Sequence, residues 1–289
     1  MSFTRRDGLN PATVAGVTTP AEAFMAAYHD RKPHVMSDLI DSCRVVDDGR
    51  TSYEVLAARL SGARRVLDLG CGDGSLLAAI NGAEVLAGVD LSAAHLDVAR
   101  ARPELGKADL RLARVQELPF GDGEFDAVVS HMVLMLFPDV EAVIAEAARV
   151  LAPGGVFGAA IAGAVTGALK VFIELAIPLF DEVPEERRVR IAGNPRVRRR
   201  EGLDELLGAA GFEPVSWDLI DLDFGGPEAD VWTRCCEMFY PVDTLDATQL
   251  KRLETAFLKE TRQLAENGRL RAGLNMRIVE TRLHRDLPR

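Results

Sequence analysis

The stretch Arg65-Val66-Leu67-Asp68-Leu69-Gly70-Cys71-Gly72-Asp73-Gly74-Ser75-Leu76-Leu77 constrains the fold of this chain more than any other. Its apolar run of Val66, Leu67 and Leu69 reads as a buried parallel strand with helices on both faces. Glycines then fall at three alternate positions, after which apolar residues resume at helical spacing. Gly70, Gly72 and Gly74 permit a tight turn and let a ligand approach the backbone where a Cβ would collide. The helix opening near Ser75 aims unpaired N–H groups and the positive end of its dipole at the same place. Strand, glycine turn and helix together predict a cofactor cradle; the plainer alternative is a tight turn with no ligand.

A dinucleotide site calls for glycines spaced G-x-G-x-x-G. Here the spacing is Gly-x-Gly-x-Gly, with Asp68 two residues before the first glycine. A carboxylate at that point repels a pyrophosphate and suits a cationic ammonium. Leu86-Ala87-Gly88-Val89-Asp90-Leu91-Ser92 supplies a second strand with a terminal acid. Further on come Leu118-Pro119-Phe120, then Phe125-Asp126-Ala127-Val128-Val129-Ser130, and then Arg149-Val150-Leu151-Ala152-Pro153-Gly154-Gly155.

In this order, from Arg65 to about Ile161, these motifs resemble class I methyltransferases that depend on S-adenosylmethionine (SAM). The resemblance implies a seven-stranded Rossmann-like α/β sheet, mostly parallel with the last strand antiparallel, and helices on both faces. It implies SAM as cofactor and S-adenosylhomocysteine (SAH) as product. By the same resemblance, Asp68 and the turn Gly70-Cys71-Gly72 hold the methionine end, and Asp90 grips the ribose hydroxyls. Leu91, Val115, Gln116 and Ser130, at or near strand ends, complete the expected cofactor contacts. One departure stands out. The family commonly carries Asp-Ala where this chain has Arg114-Val115, and a guanidinium cannot accept a hydrogen bond from an adenine amino group. The Val115 backbone and the Gln116 side-chain carbonyl are the candidates to replace that contact. A nicotinamide-binding oxidoreductase stays open beside this reading, because Asp90 suits a ribose in either case.

Length and composition set outer bounds. The chain has 289 residues, 48% hydrophobic and 27% charged, enough for one enlarged domain or a domain with a small cap. A net charge of −10 argues against general nucleic-acid binding. Cys43, Cys71, Cys235 and Cys236 make neither a disulfide framework nor a C-x-x-C metal site, so a reducing cytoplasm and no metal are expected. The N-terminus lacks a signal-peptide core, and the most apolar segment, near 167–180, carries Lys170 and Glu174 and is too short to span a bilayer.

Taken in order, residues 1–50 read as an irregular start followed by a helical lid beginning at Pro20. Residues 51–163 form the cofactor-binding core, 164–200 an insertion, and 201–289 the rest of the core with a helical excursion over 225–268. Tyr28 is the lid residue expected to fold over the cofactor; otherwise it is a half-buried anchor. The insertion holds a nearly all-round apolar helix, expected to stop at Pro178, that caps the cofactor pocket or forms a homodimer interface. Seven arginines follow within 187–200, read as a solvated face or as a carboxylate- or phosphate-binding patch. Trp232, Phe239 and Tyr240 either line an acceptor pocket or belong to ordinary core.

SAM carries an activated methyl, so chemistry of this kind asks the protein mainly for positioning. His131, just past the fourth sheet strand, is the candidate catalytic base, with a pocket histidine that moves no proton as the alternative; His29 and His34 are further candidates. After that strand the chain reads Ser130-His131-Met132-Val133 rather than Asn-Pro-Pro-Tyr, which disfavours nucleic-acid bases and glutamine amides as acceptors. The expected partner is a small-molecule acceptor, a specialised metabolite or quinone-like compound, with neither nucleic acid nor membrane. Two other functions stay open on the same fold: a SAM-bound enzyme of a different reaction, such as a cyclisation, and a SAM sensor.

Overall fold

The computed structural model describes residues 19–189 and 193–285. The irregular start expected over 1–18, and Arg190 of the arginine run, lie outside them.

The chain opens with α1 (Pro20–Arg31), α2 (Val35–Asp41), β1 (Arg44–Val45) and α3 (Ser52–Ala58). The core alternates β2 (Arg65–Leu69), α4 (Ser75–Ala79), β3 (Val85–Asp90), α5 (Ala93–Ala101), β4 (Asp109–Leu112), β5 (Phe125–His131), α6 (Val140–Val150) and β6 (Leu151–Thr166). Then come α7 (Gly167–Asp181), α8 (Arg200–Ala209), β7 (Ser216–Asp223), α9 (Glu228–Met238), α10 (Ala247–Thr261), the short pair β8 (Ala265–Glu266) and β9 (Arg269–Leu270), and β10 (Ala272–Arg282). Reciprocal capping fixes the start of three helices: Thr19 with Glu22, Thr51 with Glu54, and Asp246 with Gln249.

The main sheet has the order β1-β7-β10-β6-β5-β2-β3-β4. β2 to β6 run parallel, and β10 inserts antiparallel between β6 and β7. The strand count is eight rather than the seven expected, because Arg44 and Val45 pair antiparallel with Asp223 and Leu222 at the edge. Two residues are too few to show a period-two pattern, so no sequence signal marked them.

Two layers of side chains cover the sheet. Val66, Leu77, Val129, Phe172 and Ile278 belong to one, and Leu67, Val128, Phe157, Leu203 and Val279 to the other. β6 continues to Thr166, five residues beyond expectation, because the eleven-residue β10 runs alongside it. A register shift between Leu274 and Met276 leaves Gly163 and Ala164 in a bulge on β6. Nor does Pro178 end the apolar helix: α7 carries on to Asp181, giving up one backbone hydrogen bond. Its buried residues, Leu169, Phe172 and Ala176 among them, sit in the chain's own core. Among the described residues no helix is long and apolar enough to cross a membrane.

Candidate functional site

A cavity of about 360 Å³ opens beyond the carboxyl ends of the parallel strands, where ligands bind in open α/β sheets. Its floor is the glycine turn after β2. The N–H groups of Gly70 and Cys71 both donate to Val89 O at 2.9 Å, and Gly72 N donates to Asp90 Oδ2 at 2.8 Å, tying the ends of β2 and β3 together. Gly70 lies at φ 73°, and a Cβ there would come within 2.7 Å of the Val133 side chain. Glycine is therefore required both by conformation and by space. Gly88 on β3 lies against Cys71, whose Sγ would be 2.7 Å from an added Cβ.

Five carboxylates line the cavity: Glu22, Asp68, Asp73, Asp90 and Asp139. Asp73 is held by Arg102 Nη2 at 2.6 Å and Ser75 Oγ at 2.8 Å. Asp90 accepts from the backbone N–H groups of Gly72 and Ser92, both at 2.8 Å, and lies 3.4 Å from His95 Nδ1. Burial alone would raise its pKa; the contacts from His95 and Ser92 outweigh that and keep it ionised. Asp68 has no such help. It is buried, its Oδ1 has no hydrogen-bond partner, and burial followed by the Asp90 charge drives its pKa well up. A buried carboxylate oxygen with unmet demand beside an open cavity fits a cationic donor such as an ammonium. The fit to an amino-acid end at Asp68 and a ribose diol at Asp90 is therefore good.

The lid comes from α1 and α2, not from the 164–200 insertion, none of whose described residues reaches the cavity. Glu22, Met25 and His29 of α1 and Met36 and Ile40 of α2 supply its inner face. Glu22 Oε1 accepts from Arg114 Nη2 and from Gln116 Nε2, each at 3.0 Å. Arg114 thus meets a carboxylate from the first helix. The His29 ring lies against the His95 ring (centroids 4.4 Å apart), and its buried Nδ1 has no partner. Burial, with His95 adding to it, lowers the His29 pKa to about 4.

On the other side stand His131, Met132, Tyr53, Leu136 and Phe137. His131 Nε2 lies 2.8 Å from Ser52 Oγ, and its ring faces Tyr53 at 4.4 Å. Burial lowers its pKa to about 3, so it is a neutral hydrogen-bonding group across the neutral range and a poor proton acceptor. Met132 follows with φ 62°, a strained conformation for a non-glycine residue, fastened by its N–H to Ala160 O at 2.8 Å.

Of the residues singled out from sequence, His29, Asp68, Gly70, Cys71, Gly72, Asp90, Leu91, Val115, His131 and Tyr240 line the cavity. Tyr28 does not: it is the buried anchor, its hydroxyl donating to Glu237 O at 3.2 Å while Tyr240 meets it edge-on. Ser130 is buried below the floor, with Oγ 3.4 Å from Leu69 O. Gln116 lies just behind the wall, its amide nitrogen engaged by Glu22 and its Oε1 without a partner. Trp232 and Phe239 pack on Phe172, at 5.6 and 5.5 Å between centroids, and neither lines the cavity. Their apolar rings bury against α7 and α10 because that is where the other aromatics lie. Glu22, His95 and Ser52 were missed; only Glu22 left a trace, as the third residue of a capping box. Among the described residues no cluster of His, Cys, Asp and Glu is arranged to hold a metal.

A family described as a methyltransferase domain matches residues 67–159. The 27-O-demethylrifamycin SV methyltransferase of Amycolatopsis mediterranei is 32% identical over 206 residues, covering 68% of this chain and 69% of that protein. A fatty-acid O-methyltransferase of Mycolicibacterium smegmatis is 36% identical over 97 residues, covering 32% of this chain and 35% of that protein. The matches to the mycobacterial relatives span only 35–40% of those proteins' own lengths. Among solved structures, the cyclase SpnF superposes with a TM-score of 0.58 at 19% identity, over 93% of this chain and 99% of that one. At that identity the likeness is one of fold.

Proposed function

The chain belongs to the class I SAM-dependent methyltransferase family, and from that membership we propose that it transfers the methyl group of SAM to a small organic acceptor. One observation carries the reading: the unpartnered Oδ1 of buried Asp68, under the glycine turn and one strand from the ionised Asp90. When bound, SAM supplies a methyl on a positively charged sulfur, activated without help from the protein.

Each residue then has a task. Asp68 receives the amino end, and the Gly70–Gly72 backbone leaves room for it. Asp90, fixed by Gly72, Ser92 and His95, offers its oxygens to the ribose hydroxyls. Leu91, Ala113 and the Val115 backbone flank the base. Lid residues Met25, Met36 and Ile40 exclude water, and His131 orients the acceptor by a hydrogen bond. Holding acceptor and methyl on one axis can supply about 7–11 kcal/mol of barrier reduction. That is ample without a general base, whose contribution is smaller, on the order of 10²–10⁴ in rate. The apolar wall of Met36, Ile40, Tyr53, Met132 and Leu136 suits an acceptor with a substantial hydrocarbon surface, of the specialised-metabolite or quinone kind. The names of the rifamycin and fatty-acid methyltransferase relatives agree with such acceptors.

The test is calorimetry with SAH and with NAD, followed by incubation with methyl-labelled SAM and a metabolite extract. Tight SAH binding with label passed to an extract component is expected. SAH binding with no label transfer to any acceptor would favour a cyclase or sensor. Uptake of NAD in preference to SAH would end the reading.

A further inference from the structure

The arginines of 187–200 sort into two kinds. Arg188 pairs with Glu185 at 3.3 Å, Arg196 with Glu141 at 3.1 Å and Glu205 at 3.3 Å, and Arg200 with Asp204 at 4.0 Å. Arg198, like Arg187 and Arg199, has no such partner among the described residues. Its Nη1 instead donates to Ala162 O at 2.7 Å, and Arg277 Nη1, from β10, donates to the same oxygen at 3.1 Å. Sharing one acceptor holds the two guanidinium nitrogens no more than about 6 Å apart.

We propose that Arg198 and Arg277, together with the side-chain amide of Asn275, form a binding site for a small oxyanion, a carboxylate or phosphate group, at the bulge where β6 meets β10. One carbonyl needs only one guanidinium, and a second brings like-charge repulsion that no carboxylate among the described residues offsets. Asp221 lies opposite Asn275 on β7, and no carboxylate acts on the Arg198 charge. Partial burial and then the Arg277 charge both draw the Arg198 pKa down.

The surroundings are built to admit this pair. A Cβ on Gly163 would collide with Asn275 Oδ1 and Arg277 Nη1, so the bulge keeps glycine where these side chains close in. Asn275 Oδ1 accepts from Ala164 N at 2.8 Å, which fixes the amide and leaves its Nδ2 donor with no partner among the described residues. Arg277 rests over the Trp217 ring at 5.9 Å from the centroid. Two guanidinium forks and an amide donor are the chemistry that grips an oxyanion by several charge-assisted hydrogen bonds. The site lies outside the SAM cavity but close to it, since the Ala162 N–H is held by Met135 Sδ at 3.3 Å and Met135 adjoins cavity-lining Leu136.

Titration of the full chain with inorganic phosphate and, separately, acetate tests this at constant ionic strength, with chloride as the control. Trp217 fluorescence and the arginine side-chain resonances provide the readout. Saturable binding of one or both probes is expected, weakened at least tenfold in Arg198→Met and in Arg277→Met and unchanged in Arg271→Gln, which removes an exposed arginine paired with Glu266. Phosphate saturating with acetate inert would assign a phosphate-bearing ligand, and the reverse a carboxylate. SAH affinity of both methionine variants stays within twofold of the parent, which shows they are folded and separates this site from the cofactor reading. A response no different from chloride, or one retained in the double variant, overturns the proposal.

Discussion

Glu22 Oε1 lies 3.0 Å from Arg114 Nη2, an ion pair that fastens the first helix to the wall of the cofactor cavity. The same oxygen takes the Gln116 amide, while Oε2 accepts from Thr19 N at 2.7 Å. One carboxylate therefore starts α1, neutralises Arg114 and closes the lid. Burial opposes its ionisation, but Thr19, Arg114 and Gln116 outweigh that and hold its pKa below the usual 4.5.

Glu22→Gln should accordingly loosen the lid more than the fold. Leaving Arg114 half-buried without its acid costs about 1–3 kcal/mol. SAH affinity should fall about five- to twentyfold by calorimetry, with faster amide exchange confined to α1. A depressed carboxylate pKa gives stability that is present above pH 4.5 and lost as pH falls through the folded value, so in the parent chain α1 protection should drop on acidification below 4.5. Unchanged SAH affinity in the variant would show that α1 stays shut without the pair.

Asp68→Asn should move stability and binding in opposite directions. The raised pKa of Asp68 means that the ionised form is disfavoured by folding, so this group costs stability as pH rises above 3.8. Removing the charge should raise the melting temperature of the ligand-free protein at pH 7.5, by about 2–4 °C for each kcal/mol relieved. Because it also removes the counter-charge for an ammonium, SAH affinity should fall at least tenfold. A variant that melts lower in the ligand-free state would show that Asp68 is stabilised by something other than a ligand.

The parallel core was readable because β2, β3, β5 and β6 carry local apolar runs, and β2 ends in a glycine turn. Asp68, Gly70 and Asp90 could be placed since a strand end fixes where its next residue points. What escaped depends on contacts between distant segments. Nothing near Glu22 says that it will meet Arg114, 92 residues on. Nor does the Trp232–Phe239 stretch reveal that its rings turn toward Phe172 rather than the cavity, since an aromatic cluster looks the same on either side. The register of the lid misled similarly. Tyr28 and His29 are adjacent on a helix, and which of the two faces inward is decided by how α1 packs on α5 and α9, not by its own sequence.

His131 is expected to bind an acceptor without taking its proton. With its pKa pushed down to about 3, it stays neutral through the working range, so kcat should show no break between pH 6 and 8 that His131→Asn abolishes. Unfolding releases the ring to its ordinary value of 6.5, so the unfolded chain binds the extra proton and stability falls as pH drops from 6.5 toward 3. His131→Asn should be less stable than the parent at pH 8 yet change less between pH 6.5 and 4 in urea titrations. A kcat inflection near 6.5 carried by His131 would make it a base after all.

Phe239→Ala and Tyr240→Ala, neighbours in sequence, should separate core from cavity. Phe239 stacks on Phe172 with an interplanar angle of 17°, inside the cluster completed by Trp232 and Phe257. Truncating a ring that is partly rather than fully buried costs about 2–3 kcal/mol, under the range for a sealed core position. With no cavity wall altered, SAH affinity and acceptor KM should stay within twofold of the parent. Tyr240 lines the cavity and meets both Tyr28 and His29 edge-on, at 5.1 and 5.5 Å between centroids. Its loss frees the inner face of the lid, so SAH affinity should weaken at least fivefold. If Phe239→Ala changes KM while Tyr240→Ala does not, the acceptor occupies the aromatic cluster, and the cavity boundary has been drawn one residue too far along.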